Sequence, residues 1–125
     1  MRFMIIVKAN ADTEAGRLPD AALFAEMGAY NEALAQAGAL LDAAGLQPSS
    51  AGWRIRYADG QRSVIDGPFT ESKELVAGYT LIQARSREEA LEWTRRFPAP
   101  MGPGVPAEIE VRPLYDIDDL RRALA

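Results

Sequence analysis

The nine residues from Asp66 to Glu74 carry the side chains best suited to chemistry in this chain. They read Asp-Gly-Pro-Phe-Thr-Glu-Ser-Lys-Glu and lie between two apolar runs that are typical of strands. A carboxylate at Asp66 and an amine at Lys73 could transfer a proton if burial or a charged partner shifted their pKa values. We therefore predict Asp66 and Lys73 as catalytic residues and the nearby Thr70 as a ligand-binding residue.

Each of these residues also has a structural interpretation. Asp66 could cap the turn made by Gly67-Pro68, because Asp side chains readily bond nearby backbone amides. Lys73 could form a salt bridge with Asp66 or Glu71, and Thr70 could cap a single helical turn. The sequence leaves both interpretations open.

Two residues on neighbouring strand-like runs are further candidates for ligand binding. Tyr79 follows Gly78 and could donate its hydroxyl to a ligand, although packing in the core or a dimer interface is the commoner role. Arg112 could grip a carboxylate. It alternates with Glu108 and Glu110, however, so a cross-strand charge ladder is an equally good interpretation.

The composition excludes several classes of site. The chain has no histidine and no cysteine, which rules out a Ser-His-Asp triad, a thiolate nucleophile and the usual zinc sites. The acidic run Asp116, Asp118 and Asp119 is better explained by the start of a terminal helix than by a metal centre. We predict neither a metal nor a cofactor.

The charge and hydropathy of the chain limit its partners and compartment. The formal net charge is −4 and the pI is about 4.8, which argues against direct nucleic-acid binding. No apolar run approaches the roughly 20 residues that span a bilayer, and the lack of cysteine suits a reducing compartment. We predict a cytoplasmic protein without membrane contact, folded as a single domain over residues 1–125.

The periodicity of apolar residues predicts an alternation of strands and helices. A helix begins near Pro19 and Asp20 and ends at Gly38, and a second one begins with a capping box at Ser86 and ends before Pro98. Residues 9–17 are predicted as a loop. Strands are predicted at 3–7, 39–46, 53–57, 63–65, 76–84 and 108–114, with a hairpin turn at 59–60.

This order gives an α+β fold of the ferredoxin-like βαββαβ type with an added hairpin. Trp53, Phe69 and Trp93 are predicted to be core residues. A terminal helix would dock through its apolar side chains, which are Ile117, Leu120 and Leu124. One face of the sheet has no helices to cover it, so we expect a homodimer in which two sheets pack back to back.

The segment 66–74, followed by Val76-Ala77-Gly78-Tyr79, resembles the signature of the YCII-related family, in the type called DGPF-domain proteins. Residues 45–48, 90–93 and 110–113 extend the resemblance over nearly the whole chain. The resemblance implies a dimeric α+β barrel, and it brings no settled reaction. Some relatives have a pocket with a polar dyad, and many have a His-Gly pair where this chain has Met101-Gly102.

Two functional hypotheses follow, and whether the protein is an enzyme stays open. In the first, a cleft of the dimeric barrel near Asp66 and Lys73 binds a small polar or anionic molecule, with acid/base chemistry as an extension. In the second, the protein is a non-enzymatic regulator that associates with an alternative sigma factor. Only the gene neighbourhood of the family motivates the second hypothesis.

Overall fold

In a computed structural model, residues 1–70 and 74–125 are described, and they form a mixed α+β fold. The strands are β1 (Arg2–Lys8), β2 (Leu40–Gly45), β3 (Trp53–Ala58), β4 (Gln61–Asp66), β5 (Val76–Gln83) and β6 (Ile109–Pro113). The helices are α1 (Ala11–Glu14), α2 (Ala21–Gln36), α3 (Arg87–Arg95) and α4 (Ile117–Leu124). A 3-10 turn, Ser49–Ala51, precedes β3.

Four strands form an antiparallel sheet in the order β2-β5-β1-β6, and β3 and β4 form a separate hairpin. This is the strand order of a βαββαβ ferredoxin-like fold with a hairpin inserted after β2. The predicted fold class is therefore confirmed.

The core lies between the sheet and the helices α2 and α3. Ile5 on β1 and Ile82 on β5 are fully buried, and Leu34 of α2 packs against them. Tyr30 joins this cluster, and its ring meets those of Trp93 and Phe97 edge to face at centroid distances of 6.3 and 5.3 Å. Burial of the apolar stripe of α2 is what holds that helix to the sheet.

Local sequence signals explain where the helices begin and end and where the hairpin reverses direction. The Asp20 carboxylate accepts a hydrogen bond from the amide of Leu23 (2.8 Å), and the Ser86 hydroxyl accepts one from Glu89 (3.1 Å). Gly38 after α2 has a φ of +71°, as a left-handed helix end requires. Asp59 and Gly60 both have positive φ, which is the type I′ arrangement that suits a two-residue hairpin turn.

The predicted loop at residues 9–17 was wrong in part, because it contains the short helix α1. The side chain of Asn10 accepts from the Thr13 amide (2.9 Å), and the Thr13 hydroxyl accepts from the Asn10 amide (2.8 Å). This reciprocal cap satisfies backbone donors that a single turn of helix would otherwise leave unpaired.

Two predictions of burial were also wrong for the single chain. Trp53 is 66% exposed, and the helix α4 forms but leaves Ile117, Leu120 and Leu124 in contact with solvent. The acidic residues do stabilise the start of α4, since Asp119 accepts from the Asp116 amide (3.1 Å). None of the helices among the described residues is long and apolar enough to span a bilayer.

Candidate functional site

A cavity of about 610 Å³ lies between α2 and the helix-covered face of the sheet. Its floor is made of small residues on β2 and β5, among them Ala43, Gly45 and Gly78. A Cβ atom on Gly78 would lie 3.0 Å from the Ala44 carbonyl oxygen, so the two strands pass closely where that side chain is missing. The cavity therefore exists because the side chains on these two adjacent strands are too short to fill the space between the sheet and α2.

One wall of the cavity is a stripe along α2. Leu23, Met27 and Asn31 follow one another at intervals of four residues and all line the cavity. The Asn31 Oδ1 atom is buried and has no hydrogen-bond partner among the residues that the structure describes. An unpaired buried polar group costs about 1–3 kcal/mol, and a ligand group that pairs with it removes part of that cost.

The entrance is formed by α1, the segment that follows it and the loop after α3. Asp12 and Arg17 form an ion pair there (3.1 Å), with both side chains largely in solvent. Leu18 is 88% exposed on the same segment. Phe97 and residues 100–102 also line the cavity. The mouth is thus mixed in character, while the interior is mainly apolar.

The described part of the segment 66–74 is tied to this entrance through the 3-10 turn. The Phe69 amide donates to the Ser49 hydroxyl (3.0 Å). That hydroxyl in turn donates to the Glu14 carboxylate, which also accepts from the Ser49 amide (3.0 Å). Glu14 closes α1, whose Asp12 and Thr13 line the cavity. Hydrogen bonds therefore connect the signature segment to a wall of the cavity.

Gly67 allows this close packing. Its amide donates to the Gly52 carbonyl (3.0 Å), and a Cβ atom at this position would lie 1.8 Å from the Ser49 carbonyl oxygen. No side chain fits in that space. The Gly67–Pro68 peptide bond is cis, and the Arg54 guanidinium lies 3.7 Å from the centroid of the Phe69 ring.

Comparison with known proteins places this arrangement in a family. The YCII-related domain matches residues 1–115. The chain belongs to the YCII-related family. It is also similar to an uncharacterised protein of Rhizobium meliloti (strain 1021), with 35% identity over 95 residues, which cover 76% of this chain and 75% of that protein.

Of the catalytic residues predicted for this YCII-related protein, Asp66 lies at the end of β4, exposed and opposite Trp53. Lys73 lies outside the described residues. Thr70 is exposed. The cavity is lined by neither Asp66 nor Thr70, so the described residues bring no predicted catalytic group to it. The catalytic roles of Asp66 and Lys73 and the ligand-binding role of Thr70 stay predictions.

Tyr79 and Arg112 form polar pairs away from the interior of the cavity. Tyr79 contributes to the floor, but its hydroxyl donates to Asp42 (2.8 Å), and this hydrogen bond raises the pKa of Tyr79. Since residues alternate along β5, that hydroxyl lies on the sheet face opposite Thr80. The predicted ligand-binding role of Tyr79 stays a prediction.

Arg112 forms the charge ladder that was the alternative interpretation. Its guanidinium contacts Glu110 (3.2 Å), which also pairs with Lys8 (3.2 Å). Hydrogen bonds from Arg112 and from Lys8 lower the pKa of Glu110, and the one from Arg112 has the larger effect. A role in ligand binding for Arg112 stays a prediction.

Sequence reasoning missed Asn31 as a site residue. The signal was present, because Asn31 continues the apolar spacing of Leu23 and Met27, where a polar residue is out of place unless something bonds to it. Across residues 1–70 and 74–125, no three acidic side chains come together in a way that could hold a metal ion.

Proposed function

We propose that this YCII-related protein is a homodimer that binds a small molecule in the cavity beneath α2. The observation that carries the proposal is the cavity itself. Its volume of about 610 Å³ falls within the range of roughly 300–1,000 Å³ typical of small-molecule sites. Like those sites, it combines apolar walls with a few polar groups, of which Asn31 is unpaired among the described residues.

The uncovered face of the sheet supports the dimer. Met4 and Ile6 on β1 and Leu81 on β5 share this face and are only half-buried in the single chain. Charged and polar side chains surround them, including Lys8 and Glu110. An apolar centre with a polar rim is the usual composition of a protein interface.

The hairpin and α4 add apolar surface that the single chain leaves in solvent. Trp53, Ile55 and Tyr57 alternate along β3 on one face, and Val64 is paired with Ile55 on β4. An isolated two-stranded hairpin is marginally stable in water, so this face needs a covering surface. Association of two chains would supply one.

A cavity-filling substitution tests the binding site. We would measure melting shifts of the wild-type protein with a metabolite panel, and repeat the hits with Met27→Trp. Met27 lines the cavity, so the larger ring should abolish the shifts. Phe24→Trp is the matched control on the same helix, because Phe24 is 73% exposed and outside the cavity. Hits that persist in Met27→Trp would overturn the proposed site, and so would hits that vanish equally in Met27→Trp and in Phe24→Trp.

Acid/base chemistry at Asp66 and Lys73 and association with an alternative sigma factor stay predictions. The first predicts that Asp66→Ala and Lys73→Ala remove a ligand-dependent activity. The second predicts that the sigma factor co-purifies with the protein from its host, and recovery of the homodimer alone would count against it.

A further inference from the structure

We propose that the ligand of the cavity is an uncharged or cationic molecule with an apolar body and a hydroxyl or amino group that pairs with Asn31. This inference rests on the proposed binding function and narrows its ligand class. The sequence suggested a small polar or anionic ligand, and this inference excludes the anionic alternative.

The charges that line the cavity disfavour an anion. Among the described lining residues these charges are Asp12, Arg17 and Asp20, two carboxylates against one guanidinium. Arg17, the single cation of this set, is already paired with Asp12. An anionic ligand would therefore meet a described lining of net negative charge, without a free cation from these residues to neutralise it, whereas a neutral or cationic ligand meets no such penalty there.

The interior favours an apolar body. Leu23 and Met27 line it from α2, and Phe97 and Met101 line it from the segment after α3. The thioethers of Met27 and Met101 have flexible side chains that adapt to the shape of an apolar guest. Burial of apolar surface is therefore the main source of affinity here.

Asn31 determines where the polar end of the ligand lies. Its amide continues the apolar stripe of α2, and its buried oxygen has no partner among the described residues, so a polar group that enters the cavity can bond to it. A hydroxyl both donates and accepts a hydrogen bond, so it can pair with either end of the amide, and an ammonium group pairs with the oxygen. Thr80, buried on the floor, offers a second hydroxyl on the same side of the sheet.

Three probes that differ only in their polar end test the ligand class. Cyclohexylmethanol, cyclohexylmethylamine and cyclohexanecarboxylate would be titrated at pH 7 into the ¹⁵N-labelled full chain, following the side-chain amide signals of Asn31 and the backbone signal of Thr80. We expect the alcohol and the ammonium to shift these signals and the carboxylate to bind at least about tenfold more weakly. A carboxylate that binds as well as the alcohol would overturn the ligand class but leave the cavity as a binding site.

A charge substitution provides a second test. Asn31→Asp changes few atoms and should raise the affinity for the ammonium over the alcohol by about tenfold, because the new hydrogen bond is charge-assisted. Ala29→Asp adds the same charge at an exposed position of α2 outside the cavity and should leave that ratio unchanged. An unchanged ratio in Asn31→Asp would overturn the role of Asn31.

The two proposals fail in different ways. If none of the three probes shifts the signals of Asn31 and Thr80, the ligand class is wrong. If in addition no metabolite loses its melting shift in Met27→Trp, the proposed function fails with it.

Discussion

The hydroxyl of Ser49 donates to the carboxylate of Glu14 while it accepts from the amide of Phe69. One side chain thus connects the signature segment to the short helix at the cavity entrance. Removing it would break both contacts at once, and among the described residues the partly buried Glu14 carboxylate would keep the bond from the Ser49 amide alone.

Ser49→Ala should therefore lower the free energy of unfolding by about 1–3 kcal/mol. It should also speed hydrogen exchange at the Thr13 amide, because Glu14 then anchors α1 to the 3-10 turn through one hydrogen bond instead of two. Denaturant unfolding and amide exchange would measure the two effects. Ser50→Ala, at the exposed neighbouring position, is the control and should change neither.

Two glycine substitutions should have opposite effects. A Cβ atom at Gly67 would collide with the Ser49 carbonyl, so Gly67→Ala should destabilise the protein by about 1–3 kcal/mol or more. Gly28 lies inside α2, and a methyl group added there would meet no atom within 4 Å, so Gly28→Ala should stabilise the protein by up to about 1 kcal/mol. Thermal unfolding distinguishes the two, and a stable Gly67→Ala protein would contradict the close packing described above.

Tyr30 should make stability depend on alkaline pH. Its hydroxyl donates to the Trp93 carbonyl (2.7 Å), and burial raises the pKa of Tyr30 to about 12 from an ordinary value of 10.0. The folded state therefore favours the protonated phenol. The contribution of Tyr30 to the free energy of unfolding is therefore fully present below pH 10 and is lost as the pH rises through about 12.

Tyr30→Phe should cost about 1 kcal/mol at neutral pH and should reduce the alkaline loss of stability. Urea unfolding at a series of pH values would show this. Tyr115→Phe is a suitable control, because Tyr115 is 77% exposed. If the free energy of unfolding falls equally at alkaline pH in the wild-type protein and in Tyr30→Phe, groups other than Tyr30 cause the fall.

The dimer proposal predicts a mass of twice 13.6 kDa for the wild-type protein in solution. Leu81→Glu should reduce it to the mass of one chain, because a carboxylate would then be buried in the apolar centre of the interface. Leu91→Glu on the exposed side of α3 should leave the mass unchanged. Sedimentation equilibrium measures all three, and a wild-type monomer would rule out the dimer.

The sequence predicted the elements that depend on local signals. Asp20, Ser86 and the turn at 59–60 act through bonds or dihedral angles within a few residues, so their types alone were sufficient. The helix α1 was missed because the cap from Asn10 to Thr13 supports only one turn, too short for apolar periodicity to reveal.

Burial and the cavity were harder to predict because they depend on distant parts of the chain. The alternation of Trp53 with Arg54 correctly indicated a strand. The residues of that strand alone do not determine whether another part of the protein covers the tryptophan. The floor of the cavity combines Gly45 with Gly78, two residues that become neighbours only when β2 pairs with β5. The sequence singled out the signature segment, but it could not show that the described part of this segment contacts Ser49.

The short side chains on the floor have a consequence for comparing members of the family. Positions 43, 45 and 78 carry either a methyl group or a hydrogen atom, and each larger substituent there would make the hollow shallower. Under the proposed binding function, the summed side-chain volume at these three positions should therefore rank relatives by the size of the ligand that they bind. That ranking can be made from amino-acid sequences before any guest has been identified.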